Sequence, residues 1–149
     1  MAQVKAIPDG YSTVTQFLNV KGAADAIEFY KKAFGAEERR PRMATPDGTV
    51  MHCELKIGNS ILMIADAIQN PPTQSSTHLY VEDADAWWKR ATAAGCQIAM
   101  PIADQFWGDR YGILTDKFGN RWGIATHKED VPPAEMAKRA AEEMKKMAK

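Results

Sequence analysis

The chain has 149 residues, 45% hydrophobic and 26% charged, with 19 Lys and Arg balancing 19 Asp and Glu. That length fits one domain, or two small modules fused into one. The zero formal charge argues against nucleic-acid binding and against capture of a strongly cationic ligand. No apolar run approaches the roughly 20 residues of a membrane span, so no membrane partner is expected. Met1 to Gly10 lacks a basic-then-apolar leader pattern, and Cys53 and Cys96 fit no metal spacing or disulfide framework. The expectation is a cytoplasmic protein with reduced thiols.

Along the chain, a strand is predicted near Ser12–Val20. A helix follows in which Ala23, Ile27, Tyr30 and Phe34 recur at helical spacing, and Gly35 suits its left-handed end. Strands are predicted near Glu38–Ala44, Thr49–Ile57 and Ser60–Ala65, with turns at Pro46-Asp47-Gly48 and Gly58-Asn59. After the polar linker from Gln69 to Ser76 the plan repeats. A strand near Thr77–Val81 precedes a helix capped by Asp83, carrying Ala84, Trp87, Trp88, Ala91 and Ala94 inward and stopped by Gly95. Strands near Gln97–Ala103, Arg110–Thr115 and Arg121–Thr126 complete it, with Asp116–Asn120 as the last turn.

The fold class is therefore α+β: tandem βαβββ modules, at about 11–66 and 76–127, within one domain over 1–130. Residues 131–149 form a helical tail opened by Pro132-Pro133, with Met136, Ala140, Met144 and Met147 near one face. This helix either packs on its own domain or frays in solvent; partner docking is the other reading.

Alternation sorts the two sheet faces. Met51, Cys53, Leu55 and Ile57 form an apolar row for the helix side, where Trp122 also belongs; Cys53 is a buried small hydrophobe there. His52 and Glu54 point the other way, as do His78 and Tyr80, and His52 with Glu54 forms a candidate acid–base pair. In the loop Asp104–Gly112, Phe106 and Trp107 are costly to leave in water, and Arg110 can grip a carboxylate or stack on a ring. Asp109 is expected to pair with Arg110, and the loop is either a ligand clamp or a structural corner. Arg121 is placed at the cleft rim, and His127 and Lys128 in solvent.

Several segments resemble the vicinal oxygen chelate superfamily (glyoxalase, bleomycin resistance, dioxygenase), and within it the PhnB-like branch. They are Ala26–Gly35, His78-Leu-Tyr-Val-Glu-Asp83, Asp104–Gly112, Phe118–Gly123 and Ala125–Asp130. The resemblance implies an incomplete β-barrel around a cleft, and a homodimer. It also implies four metal ligands, at positions that here hold Thr15, Met63 (or Leu62), Ser76 and Gly123 (or Ile124). None is a normal ligand, so no metal or cofactor is expected, nor glyoxalase I activity by that mechanism.

The sequence thus suggests a metal-free, homodimeric binder of a small organic molecule. Phe106, Trp107 and Arg110 hold the ligand, with His52, Glu54, His78 and Tyr80 lining the wall. The alternative is a metal-dependent lyase, isomerase or dioxygenase-like enzyme with a rebuilt site at His52, Glu54 and His78. A third reading is an interaction protein using the Met-rich tail.

Overall fold

The structure is a computed structural model and describes residues 3–148. The expected extension of the domain to Met1, and of the tail to Lys149, lies outside the described residues. In the first module β1 (Phe17–Val20) leads into α1 (Ala23–Phe34), then β2 (Glu37–Glu38) and β3 (Met43–Ala44). The hairpin of β4 (Val50–Ile57) and β5 (Ser60–Asp66) closes it. The second module follows the same plan with β6 (Ser76–Tyr80), α2 (Ala84–Ala94), β7 (Gln97–Asp104), β8 (Asp109–Thr115) and β9 (Arg121–His127). A last helix, α3 (Pro133–Met147), follows.

In each module the first strand lies parallel to the last, giving sheets ordered β1-β5-β4-β2, with β3 also on β4, and β6-β9-β8-β7. Both sheets are open. The parallel pairing requires a crossover, and the helix supplies it while covering one sheet face. Gly22 offers α1 no capping side chain, so Asp66 at the end of β5 does so from across the module. Its carboxylate accepts from the backbone N–H of Gly22 (3.1 Å), Ala23 (2.8 Å) and Val50 (2.7 Å). In α2 the sequence places the cap itself: Asp83 accepts from the Ala86 N–H at 3.1 Å.

The helix-covered faces of both sheets join in a single core. Leu18, Leu55, Leu62 and Ile64 meet Ile27, Tyr30 and Phe34 of α1, and Trp122, Ile124 and Leu114 complete it from the second sheet. Tyr30 and Phe34 pack on the Trp122 rings at 5.2 and 4.7 Å between centroids, across the module boundary.

One carboxylate ties this junction. Asp116 accepts from the Tyr30 hydroxyl (2.6 Å), the Trp122 indole N–H (2.8 Å) and the backbone N–H groups of Phe118 (2.8 Å) and Asn120 (3.0 Å). The Asn120 side chain donates to the Tyr30 oxygen at 3.1 Å and accepts from Ser75. Out of water, and beside this carboxylate, the Tyr30 hydroxyl is held well above the ordinary phenol range. Burial likewise pushes the Cys53 thiol up to about 11 and the Cys96 thiol to about 12, in keeping with Cys53 as a buried hydrophobe rather than a nucleophile.

Three local expectations change. The strand predicted from Ser12 begins only at Phe17, because Ser12–Gln16 turns back on itself, with the Thr15 hydroxyl donating to the Ser12 carbonyl at 3.2 Å. The strand predicted over Glu38–Ala44 splits in two around Pro41, which has no N–H to give a ladder. Met51 leaves the expected apolar row. His52 faces Met43 and Val50 faces Ala44 across β3, so Met51 is the extra residue of a bulge and is 50% exposed, while Val50 is buried. Of the tail, α3 buries no residue and is tethered in its first half. Arg139 donates to the Phe106 carbonyl (3.1 Å) and to Glu129 (2.9 Å).

Replacing Tyr30 by Phe deletes a donor to Asp116 and leaves the buried Asn120 amide short of an acceptor. The expected loss is about 2 kcal/mol of unfolding free energy, read by denaturant titration, with the native far-UV spectrum unchanged.

Candidate functional site

Because the helices occupy one face of each sheet, functional side chains have the two opposite faces to stand on. On the second sheet, His78 and Tyr80 of β6 point there, as do Asp109 and Tyr111 of β8 and Gly123 and His127 of β9. Their rings form an unbroken arc. Trp107 lies 5.7 Å from Tyr111 between centroids, Tyr111 4.9 Å from His78, and His78 4.7 Å from Tyr80.

Both ends of the arc are pinned to Asp109, whose Oδ2 accepts from the Tyr80 hydroxyl and the Trp107 indole N–H, each at 2.9 Å. His127 approaches its other oxygen at 2.7 Å. Asp109 is 2% exposed. Burial pushes its carboxyl upward, but the bonds from His127, Tyr80 and Trp107 outweigh it and leave the group below the usual carboxylate range. An aromatic surface held by a charged acceptor has little rotamer freedom left to lose on binding.

The loop under Trp107 is braced from behind. Lys128 and Glu129 donate their backbone N–H groups to the Gly108 carbonyl at 2.8 and 3.0 Å, and the Glu129 backbone fills the space a side chain at 108 would need. Phe106 stacks edge-on against Trp107 at 5.1 Å. Beside Tyr80 runs a groove of about 450 Å³, lined by Tyr80, Val81, Glu82, Thr126 and His127.

The open face of the first sheet is more apolar. Phe17, 42% exposed, leans on His52 at 5.9 Å, and a groove of about 330 Å³ runs past Phe17, Met51, Ala65 and Ile68. Glu54 does not pair with His52; it sits by Arg39 (3.4 Å) and Arg40 (3.9 Å).

The seven residues expected at the ligand site, three to hold the ligand and four to line the wall, therefore fall in three places. His78, Tyr80, Trp107 and the supporting Phe106 belong to the second sheet's open face, and His52 and Glu54 to the first. Arg110 goes elsewhere. It shares a face with Gly112, where a side chain would strike Trp88, and it makes a two-pronged ion pair with Asp85 of α2 (2.8 and 3.0 Å) plus a contact to Asp104 (3.2 Å). It braces the helix side, and its expected partner Asp109 belongs to the opposite face. Sequence reasoning missed Tyr111 and Asp109; it placed His127 in solvent, where the side chain is indeed half exposed, but did not foresee its contact with Asp109. The alternation of β8 and β9 carries all three onto one face.

A family model, the Glyoxalase/Bleomycin resistance protein/Dioxygenase superfamily, matches residues 12–124, which takes in both modules. The chain belongs to this superfamily. It is 37% identical over 126 residues to an uncharacterized protein of Mycobacterium tuberculosis, covering 76% of this chain and 74% of that one. It is 28% identical over 142 residues to Escherichia coli YjdN, covering 78% of this chain and 96% of that one. Among solved structures, TioX from a Micromonospora species superposes with a TM-score of 0.64 at 24% identity, over 76% of this chain and 98% of that one. A Bacillus cereus PhnB protein does so at 0.57 and 20%, over 77% and 99%.

Membership in the superfamily raises the question of its metal, and the residues at the implied positions do not fit a divalent ion. Thr15 and Ser76 offer neutral hydroxyls, Met63 a thioether, and Gly123 nothing. Moreover, a side chain at 123 would lie 2.9 Å from Tyr111 and 3.0 Å from His78, so those two rings fill the space where a ligand would stand. The alternative trio is not gathered either, because His52 and Glu54 stand on β4 of one sheet and His78 on β6 of the other. Among the described residues no group of three or more His, Cys, Asp or Glu is disposed to hold a metal. No helix there is long and apolar enough to cross a membrane.

Substituting Gly123 by Ala forces Tyr111 and His78 apart. The expected cost is about 1–3 kcal/mol in chemical denaturation, as for overpacking elsewhere, with NMR shift changes concentrated at His78 and Tyr111.

Proposed function

We propose that this protein is a metal-free member of the PhnB-like branch that binds a small, flat organic molecule against the Tyr80–His78–Tyr111–Trp107 arc. The observation that carries this reading is the double anchoring of the arc on Asp109, which fixes four rings on an open sheet face. Stacking on such a surface contributes on the order of 1–3 kcal/mol per ring and needs no charge on the ligand. The resemblance of the Trp107-Gly108-Asp109-Arg110 segment to that branch, together with the fold likeness to the Bacillus cereus PhnB protein, supports the branch assignment.

The reading includes a second copy of the chain. The contacts between modules run through α1, α2 and the turn at Asp116, so the open faces of the two sheets are left without a covering layer. A two-fold partner sets the first sheet of one protomer, with Phe17, His52 and Glu54, opposite the arc of the other, as isologous pairing allows. A cleft with one aromatic wall and one mixed wall results.

The probe is 2-methoxynaphthalene, followed by its fluorescence. Binding is expected to weaken about tenfold or more in Trp107→Ala, a loss of about 1.4 kcal/mol, and to stay within about twofold in Arg110→Ala, whose side chain is on the helix side. Equal loss in both variants removes the arc as the site. Sedimentation equilibrium is expected to give twice the chain mass, and a monomer would remove the composite cleft.

A further inference from the structure

We propose that His127 is a hydrogen-bond acceptor for a ligand N–H or O–H at the edge of the aromatic arc, available once Asp130 has released it. The inference rests on the arc being the ligand wall and adds a specific polar contact and a proton dependence to it.

The geometry begins with a clasp. The His127 imidazole lies between two carboxylates, with Nδ1 2.7 Å from Asp109 and Nε2 2.7 Å from Asp130. Carboxylates only accept, so both contacts are hydrogen bonds only when both ring nitrogens carry protons. The two jaws are unequal. Asp109 is buried and already holds Tyr80 and Trp107, whereas the Asp130 side chain is fully exposed and has no other hydrogen bond among the described residues.

When the imidazolium loses one proton, one N–H remains for two carboxylates. Leaving the buried Oδ1 of Asp109 without its donor costs more than returning the exposed carboxylate to water, so the proton stays on Nδ1. Nε2, freed from Asp130, then carries a lone pair, on a residue that lines the groove together with Tyr80, Glu82 and Thr126. The ring remains oriented by Asp109, as a second carboxylate orients a histidine in many functional sites.

The groups facing this ring are Asp109 from β8, with Tyr80 of β6 bonded to that same carboxylate, and Asp130 from the segment after β9. Glu82 lines the same groove and Lys128 is the next residue in the chain, and neither bonds the imidazole. Asp130 and Asp109 together hold His127 above the ordinary histidine value. The clasp is therefore closed up to about pH 6.5 and opens as the pH rises through that raised value. The ligand class that exploits the open state is a flat aromatic molecule with a hydroxyl or N–H at one edge.

The test compares 2-naphthol with 2-methoxynaphthalene from about pH 5 to about pH 8, on the wild-type protein and on Asp130→Asn. The expected result is about tenfold tighter naphthol binding at the upper end, with the methoxy probe flat. In Asp130→Asn, which removes an exposed charge outside the arc, the naphthol rise moves to lower pH. His127→Gln, which keeps an acceptor but cannot titrate, is expected to bind naphthol without pH dependence. If both probes bind and follow the same pH profile, or if Asp130→Asn leaves the rise in place, the role of His127 is overturned while the arc stands. If neither probe binds, the arc falls and His127 with it.

Discussion

The fold depends on a single buried carboxylate. Asp116 collects a phenol from α1, an indole from β9 and two backbone N–H groups of its own turn. Taking that charge out of water costs several kcal/mol, and only four well-aimed donors offset it, so its net contribution is modest while the loss of any donor is not. Its structural consequence is orientation. With Tyr30 committed to Asp116, α1 is turned toward the second module and the helix-covered faces of both sheets are sealed into one core. The opposite faces are then the surfaces left for function.

Strand β8 carries this device twice. It begins at Asp109 and ends just before Asp116, an odd spacing that sends the two carboxylates to opposite faces. Each collects one tyrosine and one tryptophan from separate parts of the chain: Tyr30 and Trp122 on the core side, Tyr80 and Trp107 on the open side. The difference lies in what completes each set. Backbone N–H groups, which cannot titrate, finish the Asp116 shell and make it permanent. A histidine finishes the Asp109 shell, and its proton makes that end of the strand responsive.

Much of this was legible from residue order. Helical stripes, the Asp83 cap and the turn at Asp116–Asn120 follow from spacing and turn chemistry. The rest needed distance information that one chain direction does not hold. Asp66 caps a helix more than forty residues earlier, which no local pattern announces. The bulge at Met51 shifts the face of one residue without any glycine or proline to mark it. Arg110 and His127 are different, because alternation alone carries the needed signal. Arg110 falls in the row of Gly112 and Leu114, which face α2 and the core, and His127 falls in the row of Gly123 and Ala125. The aromatic character of the 104–112 loop drew Arg110 toward a ligand, and position at a strand end foretold the exposure of His127 but not its contact with Asp109.

Gly123 links the position of the family's chelate to the aromatic arc. A carboxylate there would occupy the volume that His78 and Tyr111 fill, so metal ligation at this position and ring closure over the strand are mutually exclusive in this packing. On the proposed reading, this changes what a ligand must offer. A metal selects paired oxygens through charge, whereas a stack of fixed rings selects flatness and tolerates neutrality. Balanced formal charge fits the second case, since a neutral guest gains nothing from long-range steering. Discrimination then has to come from short range, and on the proposed reading one directional contact at the edge of the arc supplies it. Placing that contact on an imidazole tethered to a buried carboxylate fixes its direction, and leaves only its proton to vary.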